Sequence, residues 1–159
     1  MSRRKSMMAL ALAALLASGA PAVLTGQIPQ AAASDASTVS LVTEMLNAER
    51  ARKGLSPLKP DAKLNRAAAK HARDMVKRGY YSHQSPNGKT FMDRVKSAGY
   101  CRAAVAENIA EGWNSASKVV KAWFASPSHR KNMMNRKFVR FGIGEYQGYW
   151  VMNLAGPCV

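Results

Sequence analysis

Residues 138–156 read FVRFGIGEYQGYWVMNLAG, from Phe138 to Gly156. Two runs rich in β-branched and aromatic residues, FVRFGIGEY and YWVMNLAG, flank the pair Gln147–Gly148. That pattern predicts two antiparallel strands joined by a short connection. Gly142 and Gly144 interrupt the first run, where glycine permits a bulge or the close approach of another backbone. Nothing upstream of Asn135 has this texture, so the strands come last in the chain.

Working back from them, the pattern is helical. Leu41, Val42, Met45 and Leu46 give one apolar face to a first helix over 39–53, with Ser37 or Thr38 as its cap and Gly54 as its stop. Pro57 and Pro60 predict an extended link through GLSPLKP, because the residue before a proline avoids the helical region. Asp61 is positioned to cap a second helix reaching Arg78, on which Leu64, Ala68, His71 and Met75 share a face. His71 on that face reads as a packed core histidine. YYSHQSPNG, 80–88, is a loop with Pro86 and Asn87–Gly88 as turn signals. Thr90 and Asp93 form a capping-box pattern for a short third helix ending at Gly99. A fourth helix is expected over 117–125, closed by Pro127, with Ser128 opening a further turn. Helices first and strands last, without a βαβ rhythm, predict a single α+β domain with helices against an antiparallel sheet.

The chain has 159 residues and a formal charge of +15. Its first residues carry a basic head, Arg3, Arg4 and Lys5, before an apolar run from Met7 to Ala17. That run is too short to span a bilayer and has the form of a secretory signal. A small-residue exit at Ala31–Ala33 is the preferred cleavage site and Ala20–Ala22 the second. Residues 1–33 are therefore read as a signal peptide, 34–38 as a linker and 39–159 as the domain. SRRK resembles a twin-arginine signal, but Ser6 and Met7 stand where that motif carries Phe and Leu, so Sec export is the expectation over Tat, to a secreted or periplasmic location. A retained anchor is the alternative. Cleavage after Ala33 removes three basic residues and no acid, leaving a balance of +12. Such a charge favours anionic envelope or host surfaces. The basic residues are scattered, as in KHARDMVKR and SHRKNMMNRK, without the aromatic interleaving of a nucleic-acid motif. No nucleic-acid partner is expected.

Cys101 and Cys158 are the only cysteines. Their spacing matches no metal motif, and an even count in an exported chain predicts one disulfide.

His83 in the Tyr81–Ser82–His83 loop, Glu107 in AENIAEG and His129 in SPSHR are the candidate ligands or proton carriers, placed at element ends or loops. Asn47 and Arg50 read as structural hydrogen-bonding groups, and Trp113, Trp123 and Trp150 as core. The blocks NAERARKGLSPL, AAAKHARDMVKRGYYSHQSPNGKTFMDRVKSAGY, AENIAEGW, VVKAWFASPSHRKNMMN and FGIGEYQGYWVMNLAG follow one another over nearly all of residues 39–159. In that order the chain resembles a bacterial member of the CAP superfamily (cysteine-rich secretory proteins, antigen 5, pathogenesis-related 1), the SCP-like extracellular domain. The resemblance implies a three-layer α-β-α sandwich with a central antiparallel sheet and a large cleft.

It also implies a cleft lined by two histidines and two acids. His83 matches the first histidine, Glu107 the first acid and His129 the second histidine. The second acid falls near Ser126, a departure for which Asp93 or Glu145 could substitute. A set of two His and one Glu could hold a divalent cation, Zn or Mg, with open positions. The charges of Arg130 and Lys131 would disfavour an imidazolium at His129, and Glu107 would act the other way, which leaves the net direction open.

Three functions follow as expectations. The first is a secreted binding or interaction module for a lipid, a sterol-like or other small amphipathic ligand, or an envelope or host surface. The second is a metal-dependent hydrolase or peptidase with Glu107 as its catalytic base, although the sequence has no HExxH. The third is a basic envelope adhesion protein with a vestigial cleft. N-terminal sequencing of exported protein is expected to begin near Ser34; intact Met1 in a membrane fraction would establish the anchor instead.

Overall fold

The computed structural model describes the backbone of residues 30–159 and the side chains from Ala36 onward. The expected h-region at 7–17 and the second cleavage site lie outside the described residues. The elements in chain order are α1 (Gln30–Arg52), β1 (Lys59–Pro60), α2 (Ala62–Arg78), α3 (Phe91–Ser97), β2 (Val105–Ala110), α4 (Ala116–Ala125), α5 (Pro127–Met133), β3 (Arg140–Tyr146) and β4 (Tyr149–Ala155).

β3 and β4 form the expected hairpin. Tyr146 pairs with Tyr149, and Gln147 and Gly148 both take positive φ, 48° and 80°, as a two-residue turn matched to strand twist requires. The sheet order is β1-β3-β4-β2. The three long strands are antiparallel, and the two residues of β1 add in parallel beside β3. β2 is a strand, whereas the sequence pattern puts Glu107 at an element end or loop. Glu107 lies mid-strand opposite Asn153 of β4. VAENIA carries no local hairpin signal because its partner is some forty residues away in sequence.

The helices also follow local chemistry. The Asp61 carboxylate accepts from the amides of Lys63 and Leu64. Gly79 closes α2 in the left-handed conformation, φ 65°. The Thr90–Asp93 capping box is present in full. α1 starts at Gln30 rather than near Val39, so residues 34–38 are helical and Ser37 and Thr38 lie inside the helix; the alanines at 31–33 and 36 favour this extension. α5 begins at Pro127 rather than at Ser128, since a proline at the first helical position loses no hydrogen bond.

Alternation along the strands sorts the core into two layers around the sheet, giving the α-β-α sandwich. Ala110, Phe141, Ile143, Trp150, Met152 and Leu154 pack with Val42 and Leu46 of α1, Val119, Val120 and Trp123 of α4, and Met133 of α5. On the other face Ile109 and Val151 meet Ala68, Ala72 and Met75 of α2, and Ala155 meets Leu64, Val95 and Tyr100. The expected structural groups behave as such. Asn47 Nδ2 donates to the Leu58 carbonyl at 2.9 Å, and the Leu58 amide donates back at 2.8 Å. Buried Arg50 donates to the carbonyls of Ser56, Met133 and Asn135, fastening α1 to the end of α5. Trp123 and Trp150 are buried, and their indole N–H groups reach the carbonyls of Ile109 and Trp113.

α2 lies directly on β3. A Cβ on Gly142 would fall 2.2 Å from the Leu64 carbonyl carbon, and one on Gly144 2.1 Å from the Ala69 nitrogen. The Asn65 side chain accepts from the Ile143 amide at 2.9 Å across the same seam. Cys101 and Cys158 are bonded across 57 positions, a loop worth roughly 4 kcal/mol in the chain-entropy account. Gly142→Ala and Gly144→Ala are each expected to cost about 1–3 kcal/mol by overpacking a backbone contact. Urea denaturation checks this, and wild-type midpoints in both would contradict so close a seam.

Candidate functional site

Because β2 is a strand with Val105, Glu107 and Ile109 on the α2–α3 side, the Glu107 side chain enters the layer between sheet and helices. It is fully buried. Three groups converge on it. His83 Nδ1 donates to Oε1 at 2.9 Å, so the ring proton is on Nδ1 when His83 is neutral and Nε2 is the ring's other polar atom. Arg94 of α3 straddles the carboxylate, with Nη2 at 3.0 Å from Oε1 and 2.8 Å from Oε2. His71 of α2 brings Nε2 to 3.9 Å from Oε1.

Arg94 also ties the His83 loop in place. Its guanidinium donates to the carbonyls of His83 and Lys89 and to the Ser85 hydroxyl. One rigid fork therefore neutralises the buried acid and orders the loop that carries its histidine partner.

His71 is a fully buried core histidine, as its helical position implied, and it is also part of this network. Its Nε2 lies 3.0 Å from the Ser82 carbonyl, which requires the proton on Nε2. The Tyr80 hydroxyl lies 3.4 Å from Nδ1 and gives its one proton to Asp74 at 2.5 Å. Burial is the main cause that pushes His71 below the ordinary histidine range near 6.5; Glu107 opposes the shift and Arg94 adds to it. Burial, then Asp74, pushes the Tyr80 hydroxyl up.

His129 stands on α5, across the edge of the sheet. Its Nδ1 shares a 2.9 Å hydrogen bond with the Ser126 hydroxyl, so serine at the family's acid position orients this ring. The backbone there is pinned next to Glu107: Asn108 Nδ2 donates to the His129 carbonyl at 3.1 Å, and Asn132 donates to Asn108 Oδ1 at 2.8 Å. Burial, then the charge of His83, pushes His129 down. The cause is burial and the other histidine rather than Arg130 and Lys131, which are exposed on α5.

The structure thus joins His83 to Glu107 directly and brings His129 within electrostatic reach of His83, with no contact between His129 and the Glu107 carboxylate. Neither suggested replacement acid joins them. The Asp93 carboxylate is spent on the capping box, and Glu145 accepts from the Gly148 amide in the hairpin turn. As a cation site the set is incomplete. Catalytic zinc takes three protein ligands, and both Glu107 oxygens are engaged by Arg94 and His83. Among the described residues no three His, Cys, Asp or Glu side chains are grouped to hold a metal ion. Sequence reasoning misses Arg94, Asn108 and Asn132. Each acts only through partners far along the chain, and no local pattern marks them.

The sequence profile of the cysteine-rich secretory protein family, CAP, matches residues 43–154. This chain belongs to that family. Among relatives of this CAP chain, the uncharacterised protein YkwD of Bacillus subtilis is 39% identical over 117 residues, covering 72% of this chain and 46% of YkwD. An extracellular SCP-domain protein of Bacillus anthracis superposes with a TM-score of 0.74 at 28% identity, over 77% of this chain and 41% of that one. An outer surface protein of Borrelia burgdorferi shares the fold, with a TM-score of 0.68 at 21% identity, over 76% of this chain and 92% of its own. The chain spans less than half the length of YkwD and of the B. anthracis protein.

Since the folded pKa of His71 lies below the unfolded one, the unfolded chain binds a proton that the folded chain refuses over the interval between them. Stability is full above about pH 6.5 and is lost as pH falls from there through the folded value. His71→Gln is expected to flatten the dependence of Tm on pH between about 7 and 5, measured by thermal unfolding of both proteins; an unchanged slope would mean that His71 takes up its proton while folded.

Proposed function

We propose that this CAP domain is an extracellular binding module whose cleft engages a small amphipathic ligand through His83 and His129. The observation that carries the reading is the state of Glu107. A general base needs a lone pair directed at a water or substrate, and this carboxylate is buried with both oxygens already bonded to Arg94 and His83. Each candidate imidazole is anchored through Nδ1, to Glu107 or to Ser126, which leaves Nε2 as the atom for a ligand. Tyr81, two residues before His83, and Met92, two residues before Arg94, are exposed apolar side chains, 44% and 55% accessible, suited to the apolar part of such a ligand. A Zn²⁺ or Mg²⁺ ion in this cleft would draw on the two imidazoles alone while Arg94 holds Glu107.

Support for an extracellular setting comes from the disulfide, from the secretory form of residues 1–33, and from relatives described as extracellular and outer-surface proteins. No helix among the described residues is long and apolar enough to cross a membrane. The positive charge of the chain favours an anionic envelope as the place of action; Sec export is the proposed route.

A fluorescent fatty-acid or sterol probe is expected to bind saturably and to lose about tenfold or more in affinity in His83→Ala and His129→Ala. A peptide and ester substrate panel is expected to show no chelator-sensitive turnover. Chelator-sensitive hydrolysis that disappears in Glu107→Gln would overturn the binding-module reading in favour of a metal-dependent hydrolase.

A further inference from the structure

The segment KHARDMVKR, whose charges look scattered in sequence, is organised by the fold. On α2, Arg66, Lys70, Arg73 and Lys77 follow at spacings of four, three and four, so they form one stripe about 16 Å long at 1.5 Å per residue. The stripe borders a groove of about 520 Å³ between α2 and the segment that runs from Ser85 through α3. Arg78 and Lys89 also line it, and Arg94 closes it toward the sheet. Among the described residues, the only acid in its walls is Asp74, which already accepts from Tyr80 and pairs with Arg78 at 3.7 Å. Among the described residues, Arg66, Lys70, Arg73, Lys77 and Lys89 have no acidic partner within salt-bridge distance. Arg73 is held over the Tyr146 ring, 5.1 Å from its centroid.

We infer that this groove binds a linear phosphate-bearing polymer of the envelope, laid along α2. The inference goes beyond the amphipathic-ligand reading of the cleft, from which Arg94 and Glu107 separate it. Five cations without acidic partners, four of them ranged along a helix at intervals of about one turn, match a chain that carries a charge in every repeat, and such a chain gains by releasing its counterions. A guanidinium fork suits phosphate oxygens, and lysines serve as point charges beside it. The groove has walls, so it admits a chain where a flat bilayer would meet only its rim. Among the described residues no Phe, Tyr or Trp lines it, so it lacks the stacking platforms of single-stranded nucleic-acid sites. One long wall is the face of α2, whose backbone groups are bonded internally, and the other is the 85–89 loop and α3, so the amides of an acidic peptide would find no strand edge to pair with. A phosphate polymer has no such amides to satisfy.

The test titrates purified full chain with sodium polyphosphate, inorganic orthophosphate and poly-L-glutamate at two salt concentrations. Lys70→Glu/Lys77→Glu reverses two charges in the groove. Lys118→Glu/Lys121→Glu makes the same net change on α4, on the opposite side of the sheet, where both lysines are exposed. Polyphosphate is expected to bind saturably, more weakly at high salt, and about tenfold or more less tightly to the groove variant. The α4 variant is expected to stay within about threefold of wild type, and orthophosphate to compete poorly at equal phosphate. Equal losses in the two variants would reduce the effect to net charge and overturn the site. Poly-L-glutamate binding as tightly as polyphosphate would overturn the ligand class. Lys70→Gln/Lys77→Gln, with far-UV circular dichroism on every variant, keeps the result readable if charge reversal disturbs folding.

Discussion

The contact between α2 and β3 sets the geometry of this domain. Two glycines on one face of β3 remove the side chains that would hold a helix off a sheet, and the α2 backbone occupies that space at Leu64–Asn65 and Ala68–Ala69. Helix–sheet distance is otherwise set by interposed side chains, and shortening it moves every group on the helix face toward the sheet. His71 is thereby brought to 3.9 Å from Glu107, two strands away. The same seam directs the rest of α2 outward, so the basic stripe faces solvent and borders a groove instead of lying against protein.

Glu107 depends on that layer. A buried carboxylate is costly unless paired and hydrogen-bonded, and here the pairing is internal. Arg94 supplies the charge and His83 a further donor. The arrangement immobilises the histidine loop and, through Asn108 and Asn132, the start of α5. It also leaves the acid buried with a donor on each oxygen. Oriented imidazoles on a rigid support suit the binding role proposed above, and a cation at Glu107 would have to compete with a guanidinium already in place. Serine at 126 is consistent with this economy of acids. Its hydroxyl orients His129 without adding a second charge.

Much of the architecture was legible in the chain because its causes are local. Asp61, Gly79 and the Thr90–Asp93 box terminate helices through groups within three or four residues, and Gln147–Gly148 sets the hairpin by its own backbone preferences. The parity of two cysteines sufficed for the disulfide. Resemblance across five ordered blocks implied the three layers and matched His83, Glu107 and His129 to cleft positions, and the fold joins the first two directly. What the sequence by itself determined was therefore the hairpin, the helices, those of their ends that carry a local cap or stop, and the identity of the polar residues worth watching. Tertiary structure alone decided that VAENIA is a strand, since its hydrogen bonds go to β4 some forty residues away. It alone decided that Arg94 is Glu107's counter-charge and that basic residues dispersed through KHARDMVKR form one stripe beside a groove. The physical reason is common to all three. Capping, turn and periodicity signals act over a few residues, whereas the cost of burying a charge or leaving a strand edge unpaired is met by whichever distant group the packed chain brings within about 3 Å.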